Sequence, residues 1–598
     1  MKKVNFILFF CLFFTFSFLR SEEIKTEAKV YFKTADELFT KMGELFSELD
    51  IATAGETDKE CYIVIITNKE QLEKIKEKGF KVEISYHNIK DKFREMTGVD
   101  PDNPQLLRDF GYFFTYWEMI DTIQRLANNF PNLVRIYDIG RSHQNRPLWC
   151  VKISDYPDSN ENEPVVFFNA ATHAREPLGV SVLIYYITYL LNNYDPTNSD
   201  NLITWLINNR EIYFVPVMNP DGYVYNSDSG GASANWRKNR RIIQSPYVGV
   251  DLNRNYGYKW AYDNIGSSPN PSNEAYRGPE RFSEPETRVI RDFMLSKKIR
   301  AQIDYHTYGR YNMYPWGYDT FTPPDVRTLR EVVDSFRFYN TYSTSRTGQI
   351  AKVLYTANGS SVDWEYADTL WEGERKFVTY AFTIEVSTND FWYGWNDSAF
   401  IRQECQRNLG VNIYLTKVSG AFLELKNVKI YDFYGNQDSI LNPNESAYIY
   451  LTIKNRAIHP LDSAYNILIR PITENPYLII IDTMFNTQNI IRNDSQIGLF
   501  KVYANEGVPS ESIAINLSCN YLNDNSFINQ TLKFKILVQP SQLVEEKKAR
   551  NIKNIITPDF CKKYSLYLPT GQKYKGGLKK GVYLFLKENK GYKILIIK

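Results

Sequence analysis

Cysteine is scarce and scattered in this chain. The six cysteines, Cys11, Cys61, Cys150, Cys405, Cys519 and Cys561, include no CxxC pair. That excludes a thiolate zinc site and a dense disulfide framework, and leaves at most one or two isolated bridges. Net charge is nearly absent too. It is +2 over 598 residues, with no dense basic stripe along any stretch that reads as helix, so nucleic acid is not an expected partner. Continuous apolar sequence of near-membrane length occurs only at the N-terminus, where Lys2 and Lys3 precede a run from Val4 to Leu19 and Arg20, Ser21 and Glu22 turn polar. This is the pattern of a secretory signal peptide over 1–21, slightly short for a membrane span.

What is present is folded-protein composition: 43% hydrophobic, 23% charged and 15% aromatic residues, the last arguing against long disordered stretches. The length exceeds one hydrophobic core and predicts roughly two to four domains of about 100–200 residues each. Residues 22–97 alternate short helical and strand patterns: ELFTKMGELFSEL is amphipathic, and CYIVIITNKEQLEKIKEKGFKVEIS reads strand, helix, strand. This small α+β unit has no catalytic constellation of its own and is expected to be a propeptide. Over 98–420, the near-continuous apolar runs PVVFFNA, REIYFVPVM, IRAQIDYH and FVTYAFTIEV alternate with helical patterns such as PLGVSVLIYYITYLLNN. They predict an α/β domain with a mixed, mostly parallel sheet covered by helices on both faces. Residues 421–540 change to short strands between Asn, Pro, Asp and Ser turns, the signature of a β-sandwich. A charged linker over 541–555 then leads to a short all-β tail, 556–598.

Ligand chemistry in such α/β sheets collects beyond the carboxyl ends of strands, and THARE, DYHTY and TIEVS occupy such ends. His173 and Glu176 stand at i and i+3 after PVVFFNA. Hydrolytic zinc sites commonly take two imidazoles and one carboxylate, but the spacing alone is weak, since His459 and Asp462 repeat it in the β-sandwich turn HPLD. His306 closes the strand IRAQIDY and can join the pair only through the fold. Glu385 lies in an otherwise apolar strand, where a carboxylate needs a partner or a function because burying an unpaired charge is costly.

The stretches THAREP, MNPDGY, NWRKNR, VDLNRNY, DYHTYGRYNMYPWGY, LYTANGSSVDW and TIEVS together resemble the zinc carboxypeptidases of the carboxypeptidase A/B family, in that family's order. HExxH is absent, so the helix-borne zincins are not the template. The resemblance implies one Zn²⁺ per catalytic domain, held by His173, Glu176 and His306, with Asp251 orienting the first histidine. It implies Glu385 as general base and Arg240 as stabiliser of the oxyanion. Asn253 and Arg254 would bind the substrate's terminal carboxylate, Tyr355 would close over it, and Arg237 would line the subsites. Val362 matches the pocket position where an acid selects basic side chains; with Gly317, Leu354, Ala357 and Thr383 it implies neutral hydrophobic or aromatic C-terminal residues. The tail YSLYLPTGQKYKGGLKKGVYLFLKENKGYKILIIK resembles type IX secretion sorting domains of Gram-negative bacteria.

The resulting expectation is a monomeric, exported or cell-surface zymogen acting on peptide or protein C-termini, with its tail meeting secretion machinery. Two other readings compete: a peptidase trimming cell-wall peptides, and an inactive surface binding protein that keeps the fold.

Overall fold

The computed structural model describes residues 25–538 apart from 35–36, 38–48, 58–59, 98–109, 230–234, 245–246, 368–369, 372–373, 433–438 and 509–510; beyond them it describes strands at 566–567, 581–586 and 592–597. The expected signal peptide, the amphipathic helix after residue 37, the propeptide junction near 98 and the linker at 541–555 lie outside the described residues. The chain divides into two compact units. The first runs to Phe422 and adds Arg456–Ser463 and Asn523–Ser526; the second comprises Leu423–Asn455, Ala464–Leu522 and the chain from Phe527 onward.

The first unit opens with four strands, β1 (Thr26–Phe32), β2 (Asp50–Glu56), β3 (Cys61–Thr67) and β4 (Lys81–Tyr86), in the order β2-β3-β1-β4. The β3–β4 connection is the helix Lys69–Glu77, capped by Asn68, whose side chain accepts from the amide of Gln71. Eight further strands build the main sheet: β5 (Val134–Arg141), β6 (Pro147–Ile153), β7 (Val165–Ala170), β8 (Glu211–Val215), β9 (Ile299–Thr307), β10 (Tyr311–Tyr314), β11 (Thr347–Gln349) and β12 (Tyr380–Val386). Their order is β11-β10-β12-β9-β7-β8-β6-β5. Four of the seven neighbouring pairs are parallel and three antiparallel, so the sheet is mixed and mainly parallel.

The central strands are apolar throughout because both faces are covered. All residues of β7, β8 and β9 are buried, as parallel strands between helices require. Helix α1 (Pro177–Asn192) is apolar around most of its circumference and buries twelve residues, which suits a helix in the interior rather than on the surface. Pro177 occupies its first turn, where a missing N–H costs nothing. Thr115 and Glu118 form a reciprocal capping box at the start of the helix Tyr116–Asn129.

The second unit contains two four-stranded antiparallel sheets; in Glu445–Asn455 burial alternates residue by residue, the period expected of a sheet with one solvated face. The turn with His459 and Asp462, expected in the β-sandwich, packs in the first unit instead. His459 stacks on Phe377 with centroids 4.9 Å apart, and Arg300 Nε donates to Asp462 Oδ1 at 3.1 Å, so both residues are structural. Cys61, Cys150, Cys405 and Cys519 are free thiols. The strands at 566–567, 581–586 and 592–597 form a three-stranded sheet.

Phe168 on β7 is fully buried, stacked on Phe214 at 5.3 Å and edge-on to Tyr186 at 5.5 Å. Phe168→Ala should lower the stability of the first unit by about 3–5 kcal/mol, read from the denaturant midpoint of its unfolding transition. An unchanged midpoint would show that this aromatic layer is not part of a tight core.

Candidate metal centre and its cover

Three neighbouring elements bring the chemistry together. His173 and Glu176 lie in the tight connection between β7 and α1, where the Glu176 amide donates to the His173 carbonyl at 3.2 Å; Glu176 is the residue immediately before the helix. On parallel β9 and β12, His306 pairs laterally with Glu385 and Asp304 with Thr383. Residues directly opposite in a ladder share a face, so strand register alone sets the histidine beside the glutamate.

The ligand atoms of His173, Glu176 and His306 all lie within 4.8 Å of one another, in a buried cluster. Nδ1 of His173 is 2.8 Å from Glu176 Oε1, Nδ1 of His306 is 2.9 Å from Glu176 Oε2, and the two Nδ1 atoms are 3.1 Å apart. The outward nitrogens both face carboxylates. His173 Nε2 lies 3.2 Å from Asp251 Oδ1, and His306 Nε2 lies 3.1 Å from Asp304 Oδ2. Two imidazoles turned Nδ1-inward with one carboxylate between them match the nitrogen and oxygen donor set of hydrolytic zinc sites, so the residues present fit a zinc ion.

Electrostatics in this cradle follow from burial and close charge. Desolvation opposes the Glu176 carboxylate, yet His173 and His306 outweigh it and hold its pKa well below the usual range. Glu385 behaves oppositely. Burial, reinforced by the negative charge of Glu176, pushes its pKa up to about 8 against the pull of His306 and Arg237, and its Oε2 is shielded from solvent with no hydrogen-bond partner. A basic carboxylate with a free oxygen beside a metal cradle is suited to taking a proton.

Comparison with known proteins agrees with this geometry. The family model described as zinc carboxypeptidase matches residues 119–409. Carboxypeptidase B of Astacus astacus is 30% identical over 286 residues, covering 46% of this chain and 87% of that protein. The chain belongs to the zinc carboxypeptidase family. Carboxypeptidase A2 of Mus musculus is 34% identical over 263 residues, 43% of this chain and 60% of the relative; the chain thus spans about three-fifths of the mouse protein's length. The crystal structure of carboxypeptidase A from Helicoverpa armigera has the same fold, with a TM-score of 0.54 at 24% identity, covering 65% of this chain and 96% of that one.

Most residues of the zinc carboxypeptidase motifs converge, but of the two arginines of NWRKNR only Arg237 bonds to the cradle's Asp251. Arg240 lies over the rings of Tyr225 (3.7 Å) and Trp236 (4.4 Å), a cation–π arrangement that spends its guanidinium on aromatic faces. Arg237 is the arginine at the cradle. Its Nε and Nη2 donate to Asp251 Oδ2 at 3.2 and 2.8 Å, and its charge acts on Glu385. Arg254 is buried with Nε unpartnered, 6.0 Å from the Tyr355 ring centroid. Asn253 accepts from the Ser361 amide through Oδ1 at 3.0 Å and turns Nδ2 toward His306 Nε2, 3.3 Å away. Val362 and Thr383 are buried. Gly317 accepts from the Ala357 amide at 2.8 Å, and a Cβ on it would meet the Ala357 carbonyl at 3.2 Å. Leu354 lines a separate cavity with Ala54, Gly55 and Glu56.

Three contributors were not singled out from the sequence: Asp304, Gly359 and the pair formed by Arg175 and Asp50. Gly359 has φ +69° and lies so close to Arg254 that a Cβ would come 2.5 Å from the Arg254 carbonyl oxygen, so a residue with no side chain is needed there. Arg175, fully buried, binds Asp50 of β2 through both terminal nitrogens at 2.7 Å. Leu49, Asp50 and Ile51 share a cavity of only about 30 Å³ with Arg237, Arg254 and Tyr355. The N-terminal strands therefore lie directly over the arginines of the site. Lys92 adds a second tie, pairing with Glu27 and, at 2.8 Å, with Asp390 Oδ2.

Burial opposes the Asp50 carboxylate, but the charge and hydrogen bonds of Arg175 hold its pKa below the ordinary value. A depressed pKa gives a contribution that is complete above the usual carboxylate range and is lost as pH falls through the lowered value. Asp50→Ala leaves a buried cation uncompensated and should weaken docking of β2 by about 3–5 kcal/mol; acidification should loosen the wild-type segment in the same way. Hydrogen exchange of Asp50–Glu56 checks both, and unchanged protection in the variant would refute the clamp.

Proposed function

We propose that this chain is the exported zymogen of a zinc-dependent metallocarboxypeptidase that removes single residues from the free C-termini of peptides and proteins. The observation that carries the reading is the Glu385 carboxylate, whose buried Oε2 has no hydrogen-bond partner, beside the His173, Glu176 and His306 cradle, with a buried arginine, Arg254, whose Nε is also unpartnered. Bound zinc would supply Lewis acidity, polarising the scissile carbonyl and acidifying a water.

The chain's own residues would do the rest. Glu385 takes a proton from the attacking water and passes it to the leaving amine nitrogen as the C–N bond breaks. Arg237, aimed by its two bonds to Asp251, donates to the carbonyl oxygen as negative charge builds there; Arg240 is not assigned this role. Arg254 and the Nδ2 of Asn253 receive the terminal carboxylate, and Tyr355 covers it. The buried, uncharged Val362, with Gly317 and Thr383, favours neutral hydrophobic or aromatic terminal side chains. In the zymogen, Leu49, Asp50 and Ile51 of the propeptide occupy the ground over Arg237 and Arg254, so activation requires removal of the segment 22–97. Export through residues 1–21 and sorting through 556–598 complete the reading and place the enzyme outside the cell or on its surface.

The test is stepwise C-terminal trimming of a peptide mixture, followed by mass spectrometry, after proteolytic removal of the N-terminal segment. Trimming should begin at hydrophobic and aromatic ends and stop with a zinc chelator. Glu385→Gln should lose about 10²–10⁴-fold in turnover while keeping its zinc, and Arg237→Ala about 10²–10³-fold. Arg240→Ala should stay within a few-fold of wild type. Full turnover in E385Q, or a larger loss in R240A than in R237A, would refute these roles.

A further inference from the structure

We infer that Asp304 is a positioning residue for the metal centre, the counterpart on His306 of what Asp251 is on His173. The inference rests on the zinc reading above and concerns how this chain aims its second imidazole. Asp304 is fully buried on β9, two residues before His306, so both side chains leave the same face of the strand. Its Oδ2 lies 3.1 Å from His306 Nε2.

The carboxylate is itself held from several sides by neutral donors. Ser361 Oγ donates to Oδ2 at 2.8 Å and Thr172 Oγ1 to Oδ1 at 3.3 Å. The side-chain amide of Asn169, on the neighbouring strand β7, reaches Oδ1 as a donor at 2.9 Å once turned to the orientation that satisfies both its oxygen and its nitrogen. Among the described residues no lysine or arginine lies within ion-pair distance of Asp304, and its one ionic neighbour is His306. A buried carboxylate that is satisfied by neutral donors and has one imidazole nitrogen as its ionic neighbour, 3.1 Å away, is suited to accept that nitrogen's hydrogen.

The competing neighbour supports the same assignment. Asn253 Nδ2 also lies 3.3 Å from His306 Nε2, but its orientation is set by Oδ1 accepting from the Ser361 amide, so it presents N–H groups. Were Asn253 the partner, Nε2 would need a lone pair, and the hydrogen would sit on Nδ1, which points into the cradle 2.9 Å from Glu176 Oε2 and 3.1 Å from His173 Nδ1. That tautomer cannot ligate through Nδ1. Asp304 selects the other one, with the hydrogen on Nε2 and the Nδ1 lone pair turned inward, and leaves Asn253 Nδ2 free for a substrate carboxylate. Both imidazoles of the centre are thus backed by a carboxylate, which fixes ring orientation and strengthens each as a donor.

The experiment measures zinc affinity of the full chain by competition with a chromophoric chelator, alongside the histidine ring ¹⁵N spectrum and the unfolding midpoint of the zinc-free protein. Asp304→Asn, isosteric but uncharged, should weaken zinc binding about 10–100-fold and remove the hydrogen-bonded Nε2–H signal of His306. Ser361→Ala deletes one donor that aims the carboxylate and should give a smaller weakening in the same direction; it serves if D304N does not fold. Zinc affinities of both variants within twofold of wild type, or a His306 tautomer unchanged in D304N, would overturn the assignment. Failure of the wild-type chain to bind zinc at all would overturn the zinc reading together with it, a result distinguishable from failure in the variants alone.

Discussion

Four carboxylates, Glu176, Asp251, Asp304 and Glu385, are held around two imidazoles at the carboxyl ends of three parallel strands, and the rest of the first unit is arranged around that concentration of negative charge. Packed together in low dielectric, such groups repel one another and lose hydration, a combination that unfolds a site unless positive charge is supplied. Arg237 answers Asp251 from one side. A divalent cation held by His173, Glu176 and His306 would supply the remaining counter-charge. The raised pKa of Glu385 and the depressed pKa of Glu176 are two outcomes of one crowded field: the first carboxylate faces Glu176 and has a partnerless oxygen, whereas the second sits between two histidines.

The fold sets His306, Asp304 and Glu385 by strand register, and His173 and Glu176 by the tight connection between β7 and α1. Lateral pairing of β9 with β12 places His306 beside Glu385, and pairing of β9 with β7 places Asp304 beside Asn169. A one-residue slip would turn the whole set to the opposite face, and the burial of all nine residues of β9 makes a slip costly. The N-terminal strands then complete the charge balance from outside. Asp50 gives Arg175 a carboxylate, and the segment holding it fills the space beside Arg237, Arg254 and Tyr355. Release of that segment would expose cations that need a new anion, and a peptide carboxylate has the required charge and shape.

The α/β architecture was legible because buried parallel strands are nearly continuous apolar runs, and His173, Glu176, His306 and Glu385 stood out as polar residues at the ends of such runs. The two arginines of NWRKNR were harder to separate. Three positions apart in a segment without regular structure, either could face the cradle, and the choice depends on Tyr225 and Trp236 capturing Arg240, which no local pattern reveals. Asp304 carries no signal of its own in IRAQIDYH, where it is one polar residue among several, although the period of two in a strand places it on the face of His306. The turn at His459 and Asp462 is legible in HPLD, but its packing in the first unit depends on Phe377 and Arg300, both distant in sequence. The Asp50 and Arg175 pair is likewise a contact across 125 positions, beyond the reach of motif or periodicity.

Zinc K-edge X-ray absorption of the loaded full chain tests the central claim most directly, because it reads the donor atoms themselves. The account predicts one zinc per chain with a first shell of nitrogen and oxygen at about 2.0–2.2 Å, multiple scattering from two imidazoles and no sulfur. A sulfur shell, scattering from a single imidazole, or zinc far below one equivalent would contradict it.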